Sequence, residues 1–254
     1  MTVYFIGAGP GDPELITVKG QRLVRSCPVI LYAGSLVPLA VLDGHRAEQV
    51  IDTSTLHLEQ IVDHLREAHA RGWDVARVHS GDPSLYGAIG EQIVALRNAG
   101  IPYEIVPGVT ATSACAAVLG VELTLPDVAQ SVILTRHAQR TAMPNGEQLA
   151  ELARHRATLS IHLGVAHLAS IIETLLPHYG ADCPIAVVHR ATWPDQGWVM
   201  GTLADIQAQV DAKGFRRTAL ILVGRVLATD AFGRSSLYRA GHAHLYRTAS
   251  SDDA

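Results

Sequence analysis

The chain has 254 residues, of which 48% are hydrophobic and 17% charged, and its formal net charge is −4. This composition excludes an intrinsically disordered protein, and the acidic balance argues against a nucleic-acid partner. No apolar run approaches the roughly 20 residues that a membrane-spanning helix needs, and the first residues do not resemble a leader peptide. The three cysteines are odd in number and far apart, so we expect a cytoplasmic protein without disulfides.

Strands and helices alternate through the first half of the chain. Short apolar runs predict strands at residues 3–6, 28–32, 49–52, 75–80 and 103–106. Helices are predicted at residues 13–26, 57–70, 83–98 and 110–119. Alternation of this kind is typical of a mainly parallel sheet covered by helices.

The regular pattern lapses at residues 122–129, which we interpret as a linker. A second set follows, with strands predicted at residues 131–135, 158–163, 184–189 and 218–224, a short antiparallel strand at 198–202, and helices at 168–179 and 205–212. We therefore predict two tandem α/β domains, residues 1–124 and 125–254, with a surface tail from about residue 227. A ligand cleft is expected between the two domains.

Two Gly-Asp-Pro turns follow predicted strands of the first domain, at residues 11–13 and 81–83. In each turn the aspartate, Asp12 or Asp82, can cap a helix whose first residue is the proline, since proline needs no donor there. Ligands of open α/β sheets bind beyond the carboxyl ends of the strands, so two such turns also indicate a shared binding edge. Capping alone is the simpler interpretation of either turn, and both interpretations stay open.

The glycine-rich loop of residues 7–12 does not fit a dinucleotide site, because Asp12 stands where the third glycine of that motif belongs. An acid there would repel a pyrophosphate at the helix N-terminus, and no Gly-Lys-Ser/Thr follows to make a P-loop. Acid-capped turns suit a neutral or cationic ligand better than a phosphate. S-adenosylmethionine, with its sulfonium and ammonium groups, fits this description.

Three ordered motifs resemble the tetrapyrrole methylases, which are the class III S-adenosylmethionine-dependent methyltransferases. The motifs are Gly7-Ala8-Gly9-Pro10-Gly11-Asp12 with Leu15-Ile16-Thr17 and Lys19-Gly20, then Gly81-Asp82-Pro83 with Tyr86-Gly87, then Pro107-Gly108-Val109-Thr110-Ala111. The resemblance runs from residue 3 to about residue 226.

Within this family, residues 32–38 and 55–58 resemble the branch that methylates precorrin-4 at C11 to give precorrin-5 in cobalamin synthesis. Enzymes that methylate uroporphyrinogen III instead carry an acidic residue just before the equivalent Leu-Val pair. This chain has Ala33-Gly34-Ser35 in that place. The base proposed for that other branch therefore has no counterpart here, and no catalytic residue is identified.

The resemblance implies a cofactor cleft between two tandem α/β domains, a homodimer, and S-adenosylhomocysteine as a product. The implied cofactor contacts are Pro10, Ser80, Gly81, Asp82, Leu85, Thr110, Ala111, Leu163, Ala191, Ala219 and Leu220. The substrate contacts that we expect are Gly9, Gly11, Asp12, Ser35, Arg136 and Arg190. Both arginines end predicted strands, where a guanidinium can pair with a carboxylate of the tetrapyrrole.

No histidine pattern in the predicted core fits a metal site, and we expect no metal. His79 is interpreted as a structural residue, and His242 and His244 as solvated residues of the tail. Methyl transfer to an electron-rich ring carbon needs orientation more than an activated nucleophile. Two alternatives stay open. One is a methylase of the same class with another target, such as a different ring carbon, cobalt-precorrin-4, diphthamide or ribosomal RNA. The other is a tetrapyrrole- or nucleotide-binding protein without catalysis.

Overall fold

The computed structural model describes residues 1–138, 141–235, 237 and 242–248. The chain divides into two compact units, each with its own five-stranded sheet. The first unit comprises Met1–Val118 with Arg190–Gln196, and the second comprises Leu119–His189 with Gly197–Ala254. The sequence placed the boundary after residue 124 and the Arg190–Gln196 segment in the second domain. In the structure this segment packs with the first unit.

The sheet of the first unit is fully parallel, as predicted. Its strands are β1 (Val3–Gly7), β2 (Val29–Tyr32), β3 (Gln49–Asp52), β4 (Val75–His79) and β5 (Tyr103–Val106). Their order is β3-β2-β4-β1-β5, so β1 lies between β4 and β5. The helices are α1 (Val18–Ser26), α2 (Leu58–Ala70), α3 (Gly90–Asn98) and α4 (Ala111–Leu119).

Apolar side chains cover both faces of this sheet. Ile6 and Val78 point into one buried cluster, and Phe5 and Val75 point into another cluster that includes Leu65 of α2. Full burial of one such side chain contributes about 1.5–3 kcal/mol. Because both faces of the inner strands are covered, β1 and β2 appear in the sequence as continuous apolar runs, which is why they could be predicted.

The helix predicted at residues 13–26 does not begin at the proline. Pro13–Leu15 form a 3-10 turn, which the Asp12 carboxylate caps. The helix α1 begins three residues after that turn, where the Thr17 hydroxyl accepts a hydrogen bond from a backbone N–H of the first helical turn. The prediction of one continuous helix was therefore wrong, and Asp12 caps a single turn.

The helix predicted at residues 83–98 is also shorter than expected. Residues 83–86 form a turn, and α3 begins only at Gly90. Tyr86 and Ala88 have φ angles of +57° and +50°, which a right-handed helix excludes. The expected helix start was therefore wrong here as well, because two residues before α3 have left-handed backbone conformations.

The sheet of the second unit is mixed. Its strands are β6 (Val132–Arg136), β7 (Thr158–His162), β8 (Pro184–His189), β9 (Gly197–Thr202) and β10 (Ala219–Val223), in the order β6-β7-β10-β8-β9. The pair β6–β7 is parallel and the other pairs are antiparallel. The helices α5 (Leu149–Ala153), α6 (Leu168–Tyr179) and α7 (Ile206–Lys213) complete the unit. The predicted antiparallel strand at residues 198–202 is confirmed as β9.

All three cysteines are buried free thiols. Burial raises the pKa of the Cys27 and Cys115 thiols to about 12, so these groups stay protonated at neutral pH. Among the residues that the structure describes, no helix combines the length and apolar character that crossing a membrane requires.

Candidate active site

Three strand ends of the first sheet meet in direct backbone contact. A Cβ atom on Gly7, at the end of β1, would lie 2.6 Å from the Cα of Gly108 and 2.7 Å from the carbonyl oxygen of Gly81. Gly9 and Gly81 also exchange two backbone hydrogen bonds, of 3.2 and 2.7 Å. We call Gly7, Gly9, Gly81 and Gly108 the glycine junction. Close packing excludes a side chain at Gly7 and Gly108, and φ angles of +80° and +64° disfavour one at Gly9 and Gly81, so this edge of the sheet presents bare backbone.

Asp82 ties the glycine junction together through its side chain. Oδ1 accepts hydrogen bonds from the Ser84 backbone N–H, at 2.8 Å, and from the Ser84 hydroxyl, and Oδ2 accepts one from the Gly108 N–H at 2.9 Å. Partial burial acts to raise the pKa of this carboxyl, but the hydrogen bonds from Ser84 and Gly108 outweigh it and lower the pKa overall. Asp82 is therefore an anion with a fixed position at the carboxyl edge of the sheet.

The partly buried carboxylate of Asp82 suits a cationic group of a ligand better than an anionic one. An ionised carboxylate can accept about four hydrogen bonds, so its three protein donors leave capacity for another partner. The sequence left open whether Asp82 caps a turn or binds a ligand. The structure establishes the cap and adds the contact with Gly108, and a ligand contact stays a prediction.

Four predicted cofactor contacts lie next to the glycine junction along the chain. Ser80 and Leu85 flank the turn that follows β4, and the Leu85 side chain is exposed. Thr110 and Ala111 follow β5, where the Thr110 hydroxyl accepts a hydrogen bond from the Ser113 N–H at 3.2 Å and so caps α4. Both segments leave the sheet at its carboxyl edge, where ligands of parallel sheets bind.

The loop after β1 holds further predicted contacts and packs against Trp193. The Pro10 carbonyl accepts a hydrogen bond from the indole N–H of Trp193 at 2.8 Å, and a Cβ on Gly11 would overlap the indole ring. The Asp12 N–H donates to the Thr192 hydroxyl at 2.9 Å. Nothing in the sequence indicates that Gly11 leaves room for a ring from a distant segment, so the contact with Trp193 could not be predicted.

Ser35 lies exposed in the turn after β2, beside a carboxylate that the sequence did not single out. Oδ1 of Asp52, at the end of β3, accepts hydrogen bonds from the Ser54 N–H at 2.8 Å and the Gly34 N–H at 3.1 Å. These hydrogen bonds lower the pKa of the Asp52 carboxyl, and the bond from the Ser54 N–H has the largest effect. Gly34 has no side chain because a Cβ there would overlap the carboxylate. Asp52 therefore fixes the turn that presents Ser35.

The two arginines expected to bind substrate carboxylates have protein partners. The Arg136 guanidinium donates to the carbonyl oxygens of residues 141 and 142, at 3.0 Å each. Arg190 Nε lies 3.0 Å from a carboxylate oxygen of Asp195, and its guanidinium carbon lies 4.0 Å from the centre of the Trp193 ring. Their side chains are thus held in place within the protein, and their role toward the substrate stays a prediction.

The remaining predicted cofactor contacts differ in exposure. Leu163, directly after β7, is 61% exposed and has a φ angle of +55°. Leu220 in β10 is buried and Ala219 beside it is half-buried. Ala191 is buried and lies in the first unit, although the sequence assigned it to the second domain. An exposed leucine in a left-handed conformation is unusual, and such outliers concentrate at functional positions.

His79 at the end of β4 is buried next to Arg77. Burial, with a smaller contribution from the Arg77 charge, lowers the pKa of His79 to about 3, so the imidazole is neutral at physiological pH. Arg77 Nε donates to the side-chain carbonyl of Gln92 at 3.1 Å. The burial of both residues agrees with the structural interpretation of His79, which stays a prediction. Within the described residues, no group of three or more His, Cys, Asp and Glu side chains is placed to hold a metal ion.

Residues 2–207 match the family described as tetrapyrrole (corrin/porphyrin) methylases. The chain is 75% identical, over 97% of its length and 99% of the relative's, to a precorrin-4 C(11)-methyltransferase of Pseudomonas aeruginosa. It is also similar to the structure of a cobalt precorrin-4 methyltransferase, a cobalamin biosynthetic enzyme, with a TM-score of 0.87 and 42% identity over 90% of this chain and 96% of that one.

A uroporphyrin-III C-methyltransferase of Thermus thermophilus, solved in complex with S-adenyl homocysteine, aligns with a TM-score of 0.72. The two chains are 33% identical, and the alignment covers 89% of this chain and 99% of that one. The match over most of the chain agrees with the three motifs from which the resemblance was first drawn. This protein belongs to the tetrapyrrole methylases.

Proposed function

We propose that this protein transfers the methyl group of S-adenosylmethionine to C11 of precorrin-4, giving precorrin-5 and S-adenosylhomocysteine. The observation that supports this most strongly is the 75% identity, over nearly the full length of both chains, with a precorrin-4 C(11)-methyltransferase. A substrate pocket rarely changes its target at this similarity without visible loss of the surrounding motifs. The segments at residues 32–38 and 55–58 favour the same branch of the family.

The chemistry of the glycine junction supports S-adenosylmethionine as the cofactor. The junction allows close approach to the backbone, and the Asp82 carboxylate beside it is held as an anion, which suits the ammonium or sulfonium group of that molecule. We propose that the cofactor is contacted by Pro10, Ser80, Gly81, Asp82, Leu85, Thr110, Ala111, Leu163, Ala191, Ala219 and Leu220. The uroporphyrin-III C-methyltransferase relative was solved in complex with S-adenyl homocysteine, which keeps the ammonium group of S-adenosylmethionine but lacks the sulfonium charge.

When bound, S-adenosylmethionine supplies an electrophilic methyl group. The protein residues have to orient the ring carbon of the substrate in line with that methyl group. They also have to exclude bulk water from both reacting groups. Orientation of two reactants can supply about 7–11 kcal/mol of a barrier in favourable cases. We therefore assign orientation, and no nucleophilic or metal-assisted step, to the chain's own residues. A proton released from the methylated ring passes to water or to a base that we do not assign.

The proposed substrate contacts are the loop of residues 9–12, Ser35 and the two arginines. Gly9, Gly11 and Asp12 present backbone and one carboxylate, and Ser35 presents an exposed hydroxyl. Arg136 and Arg190 keep their charges while bonded within the protein, so each can still attract a carboxylate of the tetrapyrrole from its exposed side. Because two arginines can both attract substrate carboxylates, we expect that neither is indispensable for substrate binding.

A second candidate substrate is cobalt-precorrin-4, since the structure of a cobalt precorrin-4 methyltransferase is also similar to this chain. We favour the cobalt-free substrate because identity with the cobalt-named structure is 42%, compared with 75% for the precorrin-4 relative. We also propose a homodimer, as the family resemblance implies, and a location in the cytoplasm, which the three buried free thiols favour. Light scattering coupled to gel filtration tests the dimer, and a mass corresponding to one chain would contradict it.

The experiment that separates the two substrates is a competition assay. Purified protein receives equal amounts of precorrin-4 and cobalt-precorrin-4 with a limiting amount of S-adenosylmethionine, and mass spectrometry follows the gain of one methyl group in each. We expect precorrin-4 to be methylated at least tenfold faster. Faster methylation of the cobalt complex would assign the second substrate, and methylation of neither would reject both. Isothermal titration calorimetry with S-adenosylhomocysteine, run in parallel, tests cofactor binding independently of turnover.

A further inference from the structure

The segment Arg190–Gln196 connects β8 to β9 in the sequence, yet it packs in the first unit. It is closed by its own hydrogen bonds. The Trp193 N–H donates to the Arg190 carbonyl at 3.0 Å, the Gln196 N–H donates to the Trp193 carbonyl at 3.0 Å, and the Thr192 N–H donates to the Gln196 side-chain oxygen at 2.9 Å. We call this closed segment the tryptophan bracket.

Two residues of the tryptophan bracket have unfavourable backbone conformations. Arg190 has a φ angle of +47° and Thr192 has a φ angle of +69°. Positive φ is a clear outlier for a β-branched residue such as threonine. Residues in such conformations destabilise the folded chain, and they persist only where surrounding contacts impose them. The bracket therefore keeps a costly geometry, and the contacts that it makes should explain why.

Two side-chain hydrogen bonds join the bracket to the loop after β1. The Thr192 hydroxyl accepts a hydrogen bond from the Asp12 N–H at 2.9 Å, and the Trp193 indole N–H donates to the Pro10 carbonyl at 2.8 Å. The indole ring occupies the space that a side chain at position 11 would need, since a Cβ on Gly11 would overlap it. Three consecutive loop residues are thus held by two consecutive bracket residues.

The indole ring also contacts the charged residues of the bracket. The Arg190 guanidinium stacks on it at 4.0 Å from the ring centre, and Asp195 pairs with Arg190 Nε at 3.0 Å. The positive charge of Arg190 thereby contributes to the orientation of Trp193. Gly11 and this ion pair both contact the ring and restrict its position in the first unit.

We propose that Thr192 and Trp193 are positioning residues for methyl transfer, because they set the position of the loop of residues 9–12. This inference rests on the proposed function, in which that loop contacts both the cofactor and the substrate. A small displacement of positioning residues can reduce a rate by two orders of magnitude, whereas the fold tolerates it. The bracket acts on the reaction only through the loop.

The test compares Thr192→Val with Thr192→Ser. Valine keeps the shape of threonine but removes the acceptor for the Asp12 N–H, and serine keeps the acceptor. We expect Thr192→Val to lower kcat for the tetrapyrrole at least tenfold, at a temperature well below its melting point, and Thr192→Ser to stay within threefold of the unaltered protein. Hydrogen exchange followed by mass spectrometry should show faster exchange at residues 9–12 in Thr192→Val alone.

A second variant covers the case in which Thr192→Val does not fold. Trp193→Phe removes the indole N–H from Pro10 while it keeps an aromatic ring next to Gly11, and we expect it to lower kcat and to speed exchange in the same loop. Equal kcat for Thr192→Val and Thr192→Ser, or fast exchange with unchanged kcat, would overturn the proposal. If the unaltered protein methylates no tetrapyrrole, the proposed function fails. The exchange data would then still show whether the bracket holds the loop.

Discussion

The carboxylate of Asp82 links the segment after β4 to the segment after β5. Its Oδ2 accepts a hydrogen bond from the Gly108 N–H at 2.9 Å, and its Oδ1 accepts one from the Ser84 N–H at 2.8 Å. Asp12 stands in the same Gly-Asp-Pro context after β1, but its carboxylate caps a local turn through the Glu14 N–H at 2.9 Å. Two similar sequence motifs thus have different structural roles. The difference can be measured without any ligand.

Replacement of Asp82 by Asn is expected to destabilise the protein more than the same change at Asp12. Asn at position 82 keeps one oxygen, so it can satisfy either the Ser84 N–H or the Gly108 N–H and leaves the other donor opposite an amide N–H. The Ser84 N–H is exposed to water, but the Gly108 N–H is partly buried, and loss of its partner costs up to about 1–3 kcal/mol. Asp12→Asn retains the oxygen that its turn needs. Urea unfolding measures both variants, and equal midpoints would show that the Gly108 contact contributes nothing.

Gly108→Ala should disrupt the glycine junction, because a Cβ there would overlap the Gly81 carbonyl oxygen. The overlap involves two backbones, neither of which can move away cheaply, so we expect a loss of 3 kcal/mol or more, on the order of a severe overpacking defect. Gly90→Ala is the matched control. It lies at the first position of α3 with open space around it and should stabilise by about 0.4–1 kcal/mol. Comparable unfolding midpoints for the two variants would contradict the close packing of the junction.

His79 should make stability depend on pH. Its pKa is about 3 in the folded protein and 6.5 ordinarily, so on acidification the unfolded chain takes up the proton first. Stability is complete above pH 6.5 and declines as the pH falls toward 3. His79→Leu removes this effect, so between pH 7 and pH 5 the variant should gain about 2 kcal/mol relative to the unaltered protein. Urea unfolding of both proteins at pH 7 and pH 5 measures this difference. If the stability of the two proteins changed equally with pH, His79 would not be a neutral, buried imidazole.

Leu163→Ala should weaken cofactor binding if the exposed leucine covers part of the cofactor, as we propose. Loss of about 1–1.5 kcal/mol of apolar contact corresponds to roughly a five- to tenfold increase in Kd for S-adenosylhomocysteine. Leu176→Ala is the control, because Leu176 is also a partly exposed leucine, lies on α6, and is not among the proposed cofactor contacts. Calorimetry should show Leu176→Ala within twofold of the unaltered protein. Equal Kd values for the two variants would remove Leu163 from the cofactor site.

The strands β1 and β2 of the first sheet could be predicted because burial on both faces leaves a continuous apolar run in the sequence. The helix starts could not. The Gly-Asp-Pro sequence looks the same whether the aspartate caps an α-helix or a single turn, and the outcome after Asp82 involves Gly108, which lies 26 residues away. Interactions between distant residues leave no local pattern from which a helix boundary can be inferred.

The candidate site was predictable where glycines and acids mark it and not where partners come from afar. The motifs located the glycine junction and Asp82, because close backbone approach requires glycine. The tryptophan bracket was missed, since the hydrogen bond between the Asp12 N–H and the Thr192 hydroxyl joins residues 180 positions apart. The protein partners of Arg136 and Arg190 were missed for a related reason, because a strand-end arginine does not reveal which carbonyl or carboxylate it meets.

The most direct test of the proposed function is the position of the transferred methyl group. Purified protein is incubated with precorrin-4 and S-adenosylmethionine labelled with carbon-13 in the methyl group, and carbon NMR locates the label in the product. We predict one labelled methyl group, attached to C11, and little product from uroporphyrinogen III under the same conditions. A label at another ring carbon, or no transfer by protein that binds the cofactor, would contradict the proposed reaction.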